Sequence, residues 1–536
     1  MPPESELAGS PADWLRHAYS SFIGRAFFIA LVLRLIPVFL SYNLGIGLND
    51  MFQYDMLARS IVAGNGYRWY AEPDLYLVKE FIPFDILAVN YDPRGVLTSF
   101  RPPLYPAFLA LIYFLTGVDA DRFFTARLAQ AFLGAALVPL TYLLAHRFSP
   151  RKESTLTAEH AESAENNKIN SANSAPALSH ALRNEGIVEE LSAVKFSPAR
   201  IAAWVVAFYP MLVIYPLALA TENLFFLLIL LSTLTLLRAV DSGRWPSFAL
   251  AGFVFGLTAL TRSVISAAVI LAVLWVWFAL KNRAGAVALL FFFLFTISPW
   301  VVRNTLLHGQ FTWIESALGY QLYLGYHPDG TGTFQYPQSL DLIPILDDAE
   351  RDRIGIEKTL QFIRDAPGRF PYLAVRRLGH FFGLERRALT YFYSNNFFGY
   401  IPPVPLTAIA LLLILPFVFV CTSAAFGLAI TRWSKENLLL ALLMFSYLGP
   451  HVLILAEDRF HLTLIPFLAI LAAQCWMGGL SALHERWQTR AGRWALAFAT
   501  FAVLLLLLNW SLELWRDADK LALLFGPDGN QTYFPY

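Results

Sequence analysis

Apolar runs near the length of a bilayer crossing recur along this chain, separated by polar connections. The first extends from Phe22 to Tyr42, followed by Thr125 to His146, Ala199 to Leu217, Thr221 to Arg238, Phe248 to Thr261, Val264 to Leu280 and Gly285 to Arg303. Four more lie downstream, at Val404 to Ile430, Leu438 to Ala456, His461 to Gly478 and Trp494 to Leu514. A helix needs about 20 mostly apolar residues to cross the hydrocarbon layer, so the pattern predicts an all-α polytopic membrane protein of about 11 transmembrane helices. The run containing Pro416 is long enough to tilt or kink. The polar stretch before Phe22 is unlike a signal-peptide n-region and no small-residue cleavage site follows it, so the first run is expected to stay in place as an anchor.

Basic residues orient these runs. Arg16 and Arg25, the Arg147 to Lys152 cluster, Arg244, Lys281 with Arg283, Arg432 with Lys435, and Arg486 to Arg493 fall on one side, which the positive-inside rule makes cytoplasmic. The amino terminus is then inside and the carboxyl terminus outside. Two long loops become external, Asn43 to Phe124 and Asn304 to Pro403. The segment opening Arg101-Pro102-Pro103-Leu104-Tyr105-Pro106 and reaching Gly117 is apolar but short and proline-rich at its start. Counting it as a span would put the Arg147 cluster outside, so it is expected to be a short helix in or at the outer leaflet.

The layout expected from these boundaries is a cytoplasmic segment 1–21, a transmembrane module 22–303, an outer loop domain 304–403, carboxyl-terminal spans 404–514 and an outer tail 515–536. Within the module lie the outer loop 43–124, carrying amphipathic helices, and an insertion 149–198 rich in Ser, Asn, Ala and Glu. That insertion has too little apolar surface to offset its ordering entropy and is expected to be disordered on the cytoplasmic side.

Composition sharpens the class. With 57% hydrophobic and only 15% charged residues the chain belongs in lipid, and a formal charge of +1 argues against a nucleic-acid partner. Cys421 and Cys475 sit inside apolar runs, where a free thiol behaves as a small hydrophobe.

Ionisable groups near membrane depth are costly, so those at the outer ends of spans are the first candidates for chemistry. Asp50 opens the segment Asn49 to Arg59 just outside the first span, and Glu222 stands at the outer start of the fourth. Asp50 is either functional or the N-cap of an amphipathic helix whose apolar face carries Phe52, Met56, Leu57 and Ile61. Asp55 and Arg59, spaced i to i+4, fit a surface ion pair. Arg101, Arg262, Arg303 and Arg459 fall at outer span ends, where an anionic headgroup would need them. Arg262 is at the tip of a tight hairpin, with snorkelling to headgroups as its plain alternative. His451, Glu457, Asp458 and His461 cluster around another hairpin without a zinc spacing, which leaves only a hard-cation site open.

Taken in order, these segments resemble the GT-C superfamily of glycosyltransferases that use polyprenyl-phosphate sugars, of the family 39 and 83 type, which includes protein O-mannosyltransferases and bacterial aminoarabinose transferases. The stretches that carry the resemblance are Asp50 to Tyr67, RPPLYP at Arg101, Thr221-Glu222 and Gly256 to Arg262, then Pro299-Trp300 to Arg303-Asn304, Gly319 to Gly332 and Glu457 to Phe460. The resemblance implies inverting transfer of a hexosyl or pentosyl group from a polyprenyl-phosphate-linked sugar to an acceptor glycan, lipid or protein on the outer face of a bacterial inner membrane. It implies Asp50 as general base, Glu222 orienting acceptor or sugar, Arg101, Arg262, Arg303 and Arg459 holding phosphate, and Asp55, Tyr67, Asn304 and Glu457 touching substrate. No cofactor and no metal are expected from the residues, although a divalent ion stays open. The insertion after Arg147 and the long acidic loop from Arg68 to Thr98 depart from the family pattern. A transporter or flippase of a lipid-linked sugar is the competing reading, and a catalytically dead scaffold is a third.

Overall fold

The computed structural model describes residues 21–84, 91–119, 121–148, 197–386, 389 and 400–527. All but the last two residues of the expected 149–198 insertion lie outside the described residues, as do both chain ends.

The chain is an all-helical polytopic membrane protein. Helix α1 (Phe22–Leu40) leads into α2 (Asp50–Val62), and a ribbon of two two-residue strands, β1 (Arg68–Trp69) and β2 (Val96–Leu97), brackets α3 (Glu72–Val78). Then come α4 (Leu104–Thr116), α5 (Arg122–Phe148), α6 (Pro198–Phe208), α7 (Pro210–Ile214), α8 (Glu222–Ser242), α9 (Trp245–Ala259), α10 (Ser266–Phe278) and α11 (Arg283–His308). The second long loop holds α12 (Leu318–Tyr326), α13 (Asp348–Asp365) and α14 (Arg369–Phe381). The chain closes with α15 (Pro403–Ile430), α16 (Lys435–Leu453), α17 (Ile465–Trp487), α18 (Arg490–Arg516) and α19 (Ala518–Leu524).

Each expected span falls on a helix, but not all in the same way. Among the described residues eight helices are long and apolar enough to cross a membrane, and the pair α6 and α7, bent by 55°, makes a ninth if it is one span. The remaining two, α9 and the helix ending at Phe278, are apolar but shorter. The RPPLYP segment forms the 13-residue α4, too short to cross alone. Lipid-facing surface is plain on α1, where Val32, Ile36 and Phe39 are exposed, and on α18, where Phe498, Phe501 and Leu504 are.

The bend at Tyr209-Pro210 has a clear cause. Proline brings no N–H to the helix, which frees carbonyls of the preceding turn. Arg34 of α1, fully buried, donates to the carbonyls of Val206 (3.1 Å) and Ala207 (3.2 Å). At the other end of the bent pair, Gln130 of α5 donates to Pro216 (2.8 Å) and Ala218 (3.1 Å), and Arg127 donates to Leu217 (2.9 Å). Polar side chains here serve a break in the membrane-embedded backbone, the setting in which such breaks are tolerated. Helices α9 and α11 approach closely because Gly252 and Gly256 lie one turn apart on α9. A Cβ at Gly252 would sit 2.2 Å from the Leu289 carbonyl, and one at Gly256 2.5 Å from Thr296.

The two long loops are sewn together. The carboxylate of Asp348, at the start of α13, accepts from the Thr98 hydroxyl and the Ser99 N–H, each at 2.6 Å. The Ser316 N–H donates back to the Ser99 carbonyl at 3.0 Å. Both loops are therefore joined into one cover over the same end of the bundle.

Candidate active site

Beneath that cover is a cavity of about 270 Å³ lined by Asp50, Tyr54, Arg101, Glu222, Arg262, Ser263, Trp313, Glu315, Tyr320, His451, Glu457 and Arg459, among others. This is near the lower end of the usual range for small-molecule sites. The charged groups come from separate connections: Asp50 after α1, Arg101 before α4, Glu222 at the start of α8, Arg262 between α9 and α10, and Arg459 after α16. Every one of these connections lies at the end of the bundle opposite to Arg147, Arg244, Lys281 and Arg432 by chain alternation.

Local structure explains how each is aimed. Asn49, not Asp50, caps α2, its side chain accepting from the Met51 N–H at 3.0 Å. Asp50 is the first helical residue, free to project sideways while the helix N-terminus favours its charge. Arg101 precedes two prolines that restrict its backbone, and the buried Tyr67 hydroxyl donates to the carbonyls of Arg101 (2.9 Å) and Pro102 (3.1 Å). The Leu104 N–H reaches the Leu260 carbonyl at 3.0 Å, binding this loop to the turn that carries Arg262. Glu222 opens α8, nearly fully buried.

The charges form one network. Arg101 Nη2 lies 2.5 Å from Asp50 Oδ1, and Arg459 Nη2 lies 3.1 Å from Asp50 Oδ2. Arg459 Nε is 2.8 Å from Glu457 Oε2 and 3.9 Å from Glu222 Oε1. Arg262 Nη1 is 2.6 Å from Glu222 Oε1, and its guanidinium packs 4.9 Å over the Phe460 ring. Three guanidiniums thus meet three carboxylates in a half-buried setting, where mutual pairing is what makes the charges tolerable. Burial alone would raise Asp50, but Arg101 and Arg459 override it and hold its carboxyl well below the usual carboxylate range.

Glu315 stands apart. It lines the same cavity, accepts from the Ser263 hydroxyl, and among the described residues forms no ion pair. Burial pushes its carboxyl above the ordinary glutamate range, while the Ser263 hydroxyl and the more distant Arg101 and Arg262 pull against that rise.

Of the residues singled out in the sequence, Asp50, Glu222, Arg101, Arg262, Arg459 and Glu457 converge on the cavity. Four do not line it, each for a physical reason. Asp55 is fully buried and held by Arg59 (2.8 Å), Arg122 (2.8 Å) and the Tyr113 hydroxyl (3.1 Å), so it is an interior anchor of α2 and not a surface pair or a substrate contact. Tyr67 spends its hydroxyl on the Arg101 loop. Arg303 donates to the Thr98 carbonyl at 2.6 Å, and Asn304 to those of Trp313 (2.9 Å) and Ile314 (3.2 Å). These groups satisfy buried backbone, which is the commoner task of a buried polar side chain. Arg262, expected at a hairpin tip, is tucked in and paired instead of solvated. His461 turns away from the cavity toward Glu385, 2.9 Å off, and stacks on Phe417. Among the described residues no three His, Cys, Asp or Glu side chains converge as a metal site. Sequence reasoning missed Glu315 and Ser263. A lone acid in the otherwise apolar run after Asn304 was the available signal for Glu315.

No family model matches the chain, and no curated protein does. Among solved structures it is similar to the crystal structure of ArnT from Cupriavidus metallidurans bound to undecaprenyl phosphate, at 13% identity. That alignment covers 89% of this chain and 80% of the other, with a TM-score of 0.33. So loose a superposition assigns neither fold nor residue roles.

Proposed function

We propose that this chain is a GT-C type membrane glycosyltransferase that moves a sugar from a polyprenyl-phosphate donor to an acceptor on the outer face of a bacterial inner membrane. The observation that carries the reading is the convergence of Arg101, Arg262 and Arg459 on one cavity at the end of the bundle opposite to the basic loops. By the positive-inside rule that end faces outward. A lipid phosphate arriving in the outer leaflet meets guanidiniums already arranged in a half-dry site, where charge-assisted bonds to phosphate are strong.

The reaction this supports is a displacement. The acceptor oxygen or nitrogen forms a bond to the anomeric carbon, the bond from that carbon to the phosphate oxygen breaks, and the electron pair leaves with the phosphate. Guanidiniums stabilise the departing charge, and a carboxylate takes the acceptor proton. Asp50, Glu222 and Glu457 hold the arginines in place before the donor arrives. The expectation that Asp50 is the base meets an obstacle: a carboxylate with a guanidinium on each oxygen is a weak proton acceptor. It could serve only once phosphate had drawn those arginines away.

The test is reconstitution in nanodiscs with labelled polyprenyl-phosphate hexoses and pentoses and an envelope extract as the acceptor source. Transfer of label from lipid to acceptor is expected. Movement of intact labelled lipid across vesicles without consumption would favour the flippase reading and overturn this one.

A further inference from the structure

We infer that Glu315 is the catalytic base of the proposed transfer, accepting the acceptor's proton as the bond to the anomeric carbon forms; this deepens the glycosyltransferase reading and rests on it. Among the described residues four carboxylates line the cavity, and three of them, Asp50, Glu222 and Glu457, each have a guanidinium nitrogen within 2.8 Å. A base must offer a lone pair to an incoming proton, and a carboxylate paired with a permanent cation binds that proton less readily. Among the described residues Glu315 accepts a side-chain hydrogen bond from Ser263 and forms no ion pair, so a neutral donor orients it.

The scaffold around Glu315 is built to hold it still. The segment 313–316 has no regular structure of its own, yet its backbone is satisfied from two directions. Trp300 Nε1 donates to the Ile314 carbonyl at 2.9 Å, and Asn304 Nδ2 donates to the carbonyls of Trp313 and Ile314. On the far side of Glu315, Ser316 is tied to Ser99 through its N–H at 3.0 Å and through its hydroxyl at 2.8 Å. The Pro299-Trp300 to Arg303-Asn304 motif therefore finds its use as the clamp beneath Glu315, and Trp300 and Asn304 are positioning residues. A catalytic group needs such support to stay within a fraction of an ångström of its productive place.

The electrostatic surroundings suit the task. Burial raises Glu315, Asp352 behind it on α13 adds to the rise, and Ser263, Arg101 and Arg262 oppose it. A base raised above the ordinary glutamate range takes a proton more readily than Asp50, which is held below it. The proton passes from the acceptor to Glu315, the phosphate leaves with the bonding pair toward the arginines, and nothing else is consumed. Base and leaving-group stabilisers thus line one cavity with no ion pair between them among the described residues, while Arg101 and Arg262 act on Glu315 only through space.

The decisive experiment compares full-length wild type, Glu315→Gln, Glu315→Ala and Ser263→Ala in nanodiscs. Three readouts are needed: label transfer as a function of pH, binding of a long-chain polyprenyl phosphate, and thermal unfolding. Glu315→Gln is expected to lower kcat by about 10²–10⁴-fold, with lipid-phosphate binding within about threefold of wild type. Wild-type activity should fall as pH drops through the Glu315 titration, and the residual activity of Glu315→Gln should lose that acid limb. Added formate should restore part of the rate to Glu315→Ala. Ser263→Ala, which removes a hydrogen bond favouring the charged form, should move the acid limb to higher pH. Wild-type turnover in Glu315→Gln, or a residual rate in it that keeps the acid limb, would overturn the assignment and leave the transferase reading intact. An unshifted limb in Ser263→Ala would also count against it. Absence of any transfer by the wild type would instead overturn the transferase reading, and this assignment with it.

Discussion

On one side of the cavity three guanidiniums and three carboxylates pair with one another, whereas Glu315 is held by a hydroxyl. The paired side is rich in charge but chemically committed. In the proposed reaction its arginines receive the phosphate, and their pairing with carboxylates makes those carboxylates poor bases. Glu315 is a single acid that forms no ion pair among the described residues, and the backbone around it is clamped. The difference teaches that in a half-buried site the number of nearby acids says little about which one moves protons. What each acid touches decides it.

The comparison breaks most readily at Arg262. Arg262→Gln removes the close partner of Glu222 and, on the proposed reading, one phosphate-binding cation together. Transfer should fall by about 10³-fold, in line with the loss of a key charge-stabilising donor, and binding of polyprenyl phosphate should weaken with it. Lipid binding at the wild-type level in this variant would show that Arg262 serves only Glu222. Next in size is Asp55→Asn, which leaves Arg122 facing a neutral amide, while Arg59 keeps Asp74 at 2.7 Å. Breaking a fully buried pair costs roughly 3–5 kcal/mol, and these partly exposed arginines should lose less, so unfolding in detergent should occur at a moderately lower temperature. The surviving protein should keep the wild-type pH profile, because Asp55 lies outside the cavity lining. A lost acid limb in that variant would contradict its role as an anchor.

Asp50→Asn sharpens the contrast itself. Neutralising Asp50 frees Arg101 and Arg459 from an internal competitor, so phosphate binding should hold or tighten. Turnover should drop only about tenfold, about 1.4 kcal/mol of barrier, through looser placement of the two guanidiniums. The acid limb should remain. Complete loss of transfer with the limb gone would return the role of base to Asp50.

How much of this could be read from the chain is instructive. The spans were legible because apolar length is a direct consequence of bilayer thickness. The demotion of α4 was legible because prolines at Pro102 and Pro103 and the side of the Arg147 cluster pointed the same way. The N-cap of α2 was misplaced by one residue, since Asn49 and Asp50 are both competent caps and only the backbone decides between them. The fate of the arginines was not legible. Arg101 and Arg303 look alike in sequence, each at a span end beside apolar residues. Arg303 nevertheless serves the Thr98 carbonyl, a group left unpaired by a loop some 200 positions away. The i to i+4 pairing of Asp55 with Arg59 was visible, but Arg122, 67 positions on, turned a surface pair into a buried one. Contacts set by tertiary structure carry no local signature, and Glu315 and Ser263, 52 positions apart, are of that kind.

The smallest expected effect comes from Tyr67, whose ring packs against Trp300 at 4.8 Å and whose hydroxyl serves both carbonyls of the Arg101-Pro102 pair. Tyr67→Phe keeps the ring and removes one donor shared between two acceptors. The carbonyls lose a bond that is worth about 1 kcal/mol net, somewhat more if water cannot replace it. The protein should therefore unfold only slightly earlier. Arg101, however, is anchored to Asp50 and to Gln53 (2.9 Å) as well as through this loop, so its guanidinium should drift by little. A fall in transfer of about two- to fivefold, carried by weaker donor use and leaving the pH profile unmoved, is the outcome expected of a group that holds the paired side in register. If Tyr67→Phe instead shifted the acid limb, the hydroxyl would have to be coupled to Glu315. The division between the two sides of the cavity would then fail at the point where the Arg101 loop and the Trp300 clamp meet.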